Sequence, residues 1–571
     1  MKHDLAGWEV IKTDVLVIGG GFGGLWSAIR AAECDCTVTL VDKSFAGKSG
    51  HSFFASGAMM VMLPGDDLQE HVADVVSGNE WLVDQEMVRA VFEGSYDRLK
   101  DFESAGIHFR KNKSGYVWTR ARGTRNIKNL WPENGSAAEE VTTLRKIAIR
   151  KGVRFLDHVY VYDLLKDPAG QVAGGVGIGV RDSRDYLFQA GSTILATNSG
   201  GYRGHHLASD LQGTGPFLAY DAGARIKDPE FHYINIRPSK HEIEGSGILP
   251  AMGARWVNAR NELYMDKYDP VLKDRASAYK IVLAAAREAL KGNAPVSIDV
   301  RNMEEGERER FRLLMVSHGW QPLLFEKCLK EEGYDILRDN IEWQPAYESN
   351  KLGIDTSLSG ESSLKGLFAA GMARVLGINP FTGWSIASCT WSGYVAGESA
   401  ARFSKGLEGA PPALTDLQEK KRRFFEPMQR PPGVEPDRLI RELQGILFPA
   451  GTLIIMNESR LTNALNRVMK LRDEELPALK ATDVRTLVKT KEAQTMLLSA
   501  EMTLRGSLMR KETRESIFYR EDYPTPDNTN WLKWIVVSKG TDGDMTFSTE
   551  DIPFERYPLN PGVHQGTGTS L

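Results

Sequence analysis

The amino-acid sequence predicts a doubly wound α/β fold with an insertion and a C-terminal helical bundle. Three observations carry this reading. A strand, a glycine-rich turn and a helix open the chain around Asp14 to Gly24. Two further strand-to-glycine turns recur far downstream, at Ser192 to Gly201 and Gly366 to Gly371. Leucines then repeat at three- and four-residue steps between 413 and 515.

The opening motif is the most specific. Val15 to Ile18 is a short apolar, β-branched run suited to a buried parallel strand. Gly19 permits the tight turn, Gly21 lets backbone approach a pyrophosphate, and Gly24 lets the helix pack close to the strand. The predicted helix, Leu25 to Glu33, points its N-terminal N–H groups at phosphate. A second strand, Thr37 to Val41, ends at Asp42, where a carboxylate can accept ribose hydroxyls. Strand, turn, helix, second strand and acid in this order read as a Rossmann-like dinucleotide site.

Strands are expected at 153–156, 159–165, 172–180 and 186–190, with turns at Pro168-Ala-Gly170 and Asp182–Asp185. Ser192 to Thr197 is a further buried strand running into Asn198-Ser-Gly200-Gly201. The segment after it is less regular, with helices expected at Ala276–Lys291 and Met303–Ser317. Gly366 to Gly371 returns as a strand and glycine turn, followed by an apolar helix over Ser385–Ala401. Nucleotide-domain material therefore flanks an insertion: residues 10–235 and 353–408 enclose residues 236–352. Pro411-Pro412 and Arg430-Pro-Pro-Gly433 mark a linker. Residues 413–515 form the helical bundle, and residues 516–571 an irregular tail with β-like Trp534-Ile-Val-Val537.

Composition narrows the function. With 71 basic and 75 acidic residues the net charge is −4, which gives no support for nucleic-acid binding. The four cysteines, Cys34, Cys36, Cys328 and Cys389, make no CxxC pair or ligand cluster. No metal site is expected, and any iron–sulfur relay must sit on another chain. Sparse thiols suit a reducing compartment. The longest apolar run, near Ile446–Met456, is broken by Pro449 and Gly451 and is too short to span a membrane. Acidic Asp4, Glu9 and Asp14 precede the first apolar run, which argues against a signal peptide. The expectation is a cytoplasmic, unprocessed protein.

Together these pieces resemble the flavoprotein subunits of succinate dehydrogenase, fumarate reductase and adenylylsulfate reductase, over nearly the whole chain. The family's flavin loop resembles Lys43-Ser-Phe-Ala-Gly-Lys48-Ser49-Gly50-His51-Ser52-Phe-Phe-Ala-Ser-Gly57. Ala196-Thr197 with Gly200-Gly201 matches its second FAD contact, and Gly366 to Gly371 the strand returning to the flavin. Arg510-Lys-Glu512-Thr-Arg514, Arg520-Glu-Asp522-Tyr-Pro524 and Asn530-Trp531 are close to its C-terminal motif. The resemblance implies a Rossmann-like FAD-binding domain with an inserted capping domain. It implies FAD contacts from Gly19, Gly21, Gly24, Asp42, Lys43, Ser49, Gly50, His51, Ser52, Gly57, Ala196, Thr197, Gly200, Gly371, Ser385 and Ile386. His51 lines up with the histidine that carries covalent flavin in succinate dehydrogenase-like members. Gly47-Lys48-Ser-Gly50 looks more like the adenylylsulfate reductases, which bind FAD without a covalent link. Both states of the flavin stay open.

The dicarboxylate machinery departs from the family. Asn235-Ile-Arg237 stands for His-Pro-Thr, and Glu348-Ser-Asn-Lys-Leu-Gly353 for His-Tyr-x-Met-Gly-Gly. Lys280 falls at the proton-delivering arginine, and the substrate arginine is lost within Asn379-Pro-Phe-Thr-Gly-Trp384. Two carboxylates need matching cationic donors, so succinate and fumarate are not the expected substrates. Arg237 and Asn379-Pro380 look more like the adenylylsulfate reductase branch, although Phe381 replaces that branch's histidine. Met372 stands where the family has an acid. The candidate catalytic residues are Arg237, Lys280, Glu348 and His241, with Lys240 beside them. Tyr347, Asn379, Phe381, Thr382 and Trp384 are candidate substrate contacts.

The expected activity is an FAD-dependent oxidoreductase acting on a small anionic or partly aromatic substrate. Its expected partner is a separate ferredoxin-like iron–sulfur subunit in a hetero-oligomer. A stand-alone dehydrogenase using oxygen or quinone, and a non-catalytic flavoprotein, are the alternatives.

Overall fold

The computed structural model describes residues 7–121, 124–133, 136–204, 211–240, 246–316, 321–333, 335–378, 381–405, 407 and 414–561. The first motif folds as β1 (Trp8–Ile18), α1 (Phe22–Glu33) and β2 (Val38–Asp42). The helix begins three residues earlier than its apolar pattern suggests, because Phe22 is itself buried. β3 (Arg154–Asp157), β4 (Val159–Lys166), β5 (Val172–Gly179) and β6 (Asp185–Leu195) follow. The two strands expected at 186–190 and 192–197 are one continuous strand. Gly191 passes through without a break, close against Ser404.

The insertion carries β7 (Ile226–Lys227), β8 (His232–Pro238), β9 (Arg255–Val257), α2 (Ala278–Leu290), β10 (Val296–Asp299) and β11 (Ile341–Asn350). Helices at Glu305–Val316 and Gln321–Glu331 lie between β10 and β11; the second has no counterpart in the sequence reading. The chain returns through β12 (Gly353–Ile354), β13 (Leu367–Ala369) and α3 (Trp384–Ser404). The bundle consists mainly of α4 (Leu414–Gln429), α5 (Pro436–Leu447), α6 (Glu458–Lys470) and α7 (Val484–Met509). The tail is less irregular than expected: β14 (Lys533–Lys539) and β15 (Met545–Asp551) form a hairpin. The apolar Trp534–Val537 run needs a partner that alternation alone does not reveal.

The main sheet runs β3-β2-β1-β6-β5-β4, with β13 parallel to the C-terminal half of β6. β1, β2, β3, β6 and β13 are parallel, and β4-β5-β6 is an antiparallel meander. Strands buried on both faces, such as Val15–Ile18, read as continuous apolar runs for this reason. α1 and α3 cover one face at glycine contact. A Cβ on Gly393 would lie 2.4 Å from the Gly23 carbonyl, and one on Gly397 2.4 Å from that of Ser27.

The insertion forms its own sheet, β8-β11-β10-β9. The tail hairpin joins β12-β7-β14-β15, so the last strands bind the seam between nucleotide domain and insertion. The C-terminal motif closes that seam. Arg510, fully buried, donates to Glu230 (2.8 Å), Glu512 (2.7 Å) and the carbonyls of Trp531 and Lys533. Arg520 donates to Asp522 and to the Ser507 and Arg510 carbonyls. The bundle leucines Leu439, Leu443, Leu447, Leu461 and Val468 are buried in the same core as the insertion.

Candidate functional site

The phosphate cradle is built by close packing that only glycine allows. A Cβ on Gly24 would sit 1.8 Å from the Gly19 carbonyl oxygen, and one on Gly20 2.3 Å from the Ala46 Cβ. Gly19 has φ +110, which favours glycine. Gly21 abuts Ser52, whose hydroxyl accepts the Phe22 N–H at 3.4 Å. The short helix Gly50–Phe54, capped by Ser49, thereby brings His51 to the N-terminus of α1. Asp42 accepts N–H bonds from Gly20 (2.8 Å) and Ser44 (2.7 Å) at separate oxygens, so each keeps a lone pair for a ribose hydroxyl. Burial pushes its carboxyl above the usual range, against those two bonds.

The other expected contacts converge on the same cleft. Ala196 and Thr197 follow β6 and face α1: the Gly19 turn touches the Ala196 carbonyl. Gly371 lies against Gly23, where a Cβ on the latter would be 2.7 Å from the Gly371 nitrogen. Ser385 is exposed and Ile386 buried in the first turn of α3, a 21-residue helix whose positive end faces the same region. Gly57 (φ +84) turns the flavin loop back over Pro132. Lys43 differs from the rest: its ammonium bonds Gln212 and Glu492 (2.9 Å), a link to α7 rather than to a ligand.

The fit to FAD is carried by two kinds of observation. The close-packed glycines let β1, α1 and the loop at Ala46 approach as a dinucleotide turn requires, with Gly21 partly exposed. The Thr197 hydroxyl and His51 Nδ1 are buried without a hydrogen-bond partner among the described residues, a costly state unless a ligand supplies one.

The second half of the site lies where Gly200-Gly201 meets β11. Gly200 N–H donates to the Asn350 side chain (3.0 Å), and Asn350 N–H returns to the Gly200 carbonyl (2.9 Å). A Cβ on Gly201 would be 2.9 Å from the Glu348 carbonyl. Arg237 of β8 reaches across the antiparallel pair to Glu348, with Nε and Nη2 at 2.8 and 2.7 Å from Oε1. Glu230, one partner the sequence suggests for Arg237, is held by Arg510, and Glu242, the other, lies outside the described residues; Arg237 reaches Glu348 although its own cross-strand partner is Gln344.

Lys351, one step beyond β11, is a further candidate that sequence reasoning passes over. It is buried, its ammonium lies 5.4 Å from the Tyr233 ring, and burial pulls its pKa down to about 8 despite nearby Glu348 and Cys389. Its run, Ala346 to Ile354, is buried throughout, which the polar Glu348-Ser-Asn-Lys351 stretch does not signal in the sequence. Cys389 belongs to α3, so Lys351 lies near both Glu348 and the helix that opens at Trp384.

Other candidates are placed elsewhere. Tyr347 alternates to the opposite face of β11 from Glu348 and packs on Tyr202, His232 and Phe448. Phe381 fills the space over Gly78, and Trp384 donates to the Leu376 carbonyl (2.6 Å) inside the nucleotide-domain core. Thr382 is exposed between them. Lys280, at the start of α2, sits 3.6 Å from Asp269, and Lys240 is exposed. His241 and Asn379 lie outside the described residues. No group of three or more metal-ligating side chains occurs among the described residues. None of their helices is long and apolar enough to cross a membrane.

Fold and cradle define an FAD-binding flavoprotein of the oxidoreductase class. Comparison with known proteins gives the family. Residues 14–386 match the FAD binding domain model, and residues 442–565 match the fumarate reductase flavoprotein C-terminal model. The chain belongs to the fumarate reductase and succinate dehydrogenase flavoprotein family. It is 27% identical over 554 residues to a chain of the fumarate reductase (CoM/CoB) of Methanothermobacter marburgensis, covering 93% of this chain and 98% of that one. It is 24% identical to the fumarate reductase flavoprotein subunit of Escherichia coli, covering 98% and 97%. Its fold matches Escherichia coli quinol fumarate reductase with a TM-score of 0.85, at 21% identity and 97% and 98% coverage. It matches adenylylsulfate reductase from Archaeoglobus fulgidus at 0.79, with 22% identity and 95% and 96% coverage.

Proposed function

We propose that this flavoprotein oxidises or reduces a small organic anion other than succinate or fumarate, bound beside the Arg237–Glu348 pair, near where the glycine turn at Gly200-Gly201 meets β11. The observation behind this reading is the Arg237–Glu348 pair. It occupies the positions of the family's dicarboxylate donors and replaces an imidazole with a carboxylate. FAD, when bound, supplies the hydride or electron-pair chemistry. Arg237 orients the anion through its planar donor fork. Glu348, already bonded to Arg237, takes or returns the substrate proton through its second oxygen. Lys351 adds positive charge in a dry setting, where it counts most. The insertion covers the reacting atoms and keeps water out. Phe381 and Trp384 are spent in the core, which favours anion recognition over an aromatic pocket.

Anaerobic mixing of the purified flavoprotein with a panel of small organic acids tests this. Bleaching of the flavin by another acid and not by succinate is the expected result. Rapid reduction by succinate would sink the proposal. We also propose that the electron partner is a separate ferredoxin-like iron–sulfur protein, since the four cysteines lie apart and form no cluster site. Copurifying iron would support it; rapid reoxidation by oxygen in an iron-free preparation would favour a stand-alone enzyme. Acid precipitation decides the linkage at His51: yellow pellet for covalent flavin, yellow supernatant for unlinked FAD.

A further inference from the structure

A cavity of about 400 Å³ opens away from the flavin cradle, at the seam between the edge strand β4 and the helices α4 and α7. Its charge is unbalanced. Lys420, Arg423, Arg430 and Lys491 line it against only two carboxylates, Asp163 and Glu426. Most of these cations are occupied. Lys420 bonds Asp163 at 2.8 Å, Arg423 lies 3.5 Å from Asp221, and Arg430 holds Glu426 and the Leu476 and Leu479 carbonyls. Lys491 is different. Its ammonium has no carboxylate within 4 Å and no hydrogen bond among the described residues, and it lies 4.5 Å from the Phe217 ring. Burial lowers its pKa against the pull of Asp221 and Asp163, with Arg423 and Lys420 adding to the lowering. An ammonium held half-buried with no carboxylate in contact is expensive unless an anion completes the site.

The rest of the wall is flat and apolar. Tyr162 and Phe424 stack at 3.9 Å with 9° between their planes, and Leu476, Pro477 and Leu479 face them. Pro427, inside α4, also prevents that helix from satisfying the Arg423 carbonyl in the usual way. We propose that this cavity is a second ligand site, which takes a small organic anion with a flat apolar end. Lys491, a lining cation with no carboxylate in contact among the described residues, sets the charge of the ligand, and the stacked rings set the shape of its other end. The site shares no residue with the flavin cradle or with the Arg237–Glu348 pair.

Phenyl phosphate, a dianion on a flat ring, is the probe. It is titrated calorimetrically into the full FAD-loaded chain, alongside Lys491→Gln, Arg423→Gln and Arg237→Ala, with the flavin spectrum confirming that each variant is folded. One saturable site is expected, weakened at least tenfold in Lys491→Gln and Arg423→Gln and unchanged in Arg237→Ala. Inorganic phosphate is expected to bind at least tenfold more weakly than phenyl phosphate. Should Lys491→Gln fail to fold, the more exposed Arg423→Gln carries the same readout. Absence of saturable binding at millimolar probe overturns the proposal. So does binding that Arg237→Ala abolishes and the other two variants preserve.

Discussion

Two arginine–carboxylate pairs in this molecule look alike in sequence and do different work. Arg510 and Glu230 are fully buried, and the guanidinium is consumed by two carboxylates and two carbonyls. Arg237 and Glu348 are slightly open, at 11% and 7% side-chain exposure, and stand beside the Gly200-Gly201 turn. A buried cation with its donors spent in every direction is a fastener; desolvation has been met entirely by protein. The pair left slightly exposed beside the glycine turn is the one proposed to meet a substrate. The difference lies in partners and place, not in residue type.

Removing each arginine separates the two roles, and the largest effect belongs to the fastener. Arg510→Met leaves Glu230 buried without its cation and Glu512 with Arg514 alone. A loss of about 3–5 kcal/mol is expected, read by chemical denaturation with tryptophan fluorescence. Stability within about 1 kcal/mol of wild type would show that the motif is not what ties the tail to the insertion. Arg237→Gln is expected to leave the denaturation midpoint near wild type and to slow substrate-driven flavin reduction by about 100-fold. Equal losses of stability in both variants would erase the distinction.

The contrast also explains what is legible in the sequence. The cradle is readable because its parts are contiguous: Gly19 to Gly24 and Asp42 each carry a local reason for their residue type. The match of Gly57, Thr197 and Gly371 to it needs only order along the chain. The substrate face is harder. Arg237 and Glu348 meet through an antiparallel register with a bulge between Tyr233 and Ile234, which no spacing rule supplies. Tyr347 and Glu348 read as neighbours along the chain, although strand alternation sends them to opposite faces. Phe381 and Trp384 look available because an aromatic near a glycine turn reads alike whether it lines a cleft or fills a core. Lys351 escapes a sequence reading because burial, not identity, makes it unusual.

A third change probes the fastener through pH. Asp228 is buried beside Glu230, and desolvation together with that neighbouring charge raises its pKa to about 8. Its folded-state pKa lies above the unfolded value near 3.8, so the folded state binds the extra proton between these limits. Stability is full below about pH 4 and declines as pH rises toward 8. Asp228 also has φ +58, a conformation asparagine accepts. Asp228→Asn is therefore expected to match wild type near pH 4 and to melt progressively higher as pH rises to 8, the gap widening by at most about 1.4 kcal/mol per pH unit. Equal melting shifts at both pH values would mean that the carboxyl does not titrate across this range.

The smallest expected effect tests whether the open pair is assisted by Lys351. Its folded pKa, about 8, lies below the usual lysine value because burial disfavours the charged form. The ammonium is present below pH 8 and lost as pH rises through it. If its charge helps to hold an anion beside Glu348, kcat/KM falls across that interval with an apparent pKa near 8. Lys351→Met removes the charge and keeps most of the bulk. It should lower kcat/KM several-fold at pH 7, remove the limb near pH 8, and leave kcat less affected than KM, because the lost interaction is with bound anion. A purely structural lysine predicts the reverse: methionine would pack at least as well in a buried site, and the limb, owned by another group, would survive. The pH profile separates the two readings even where the rates at a single pH coincide.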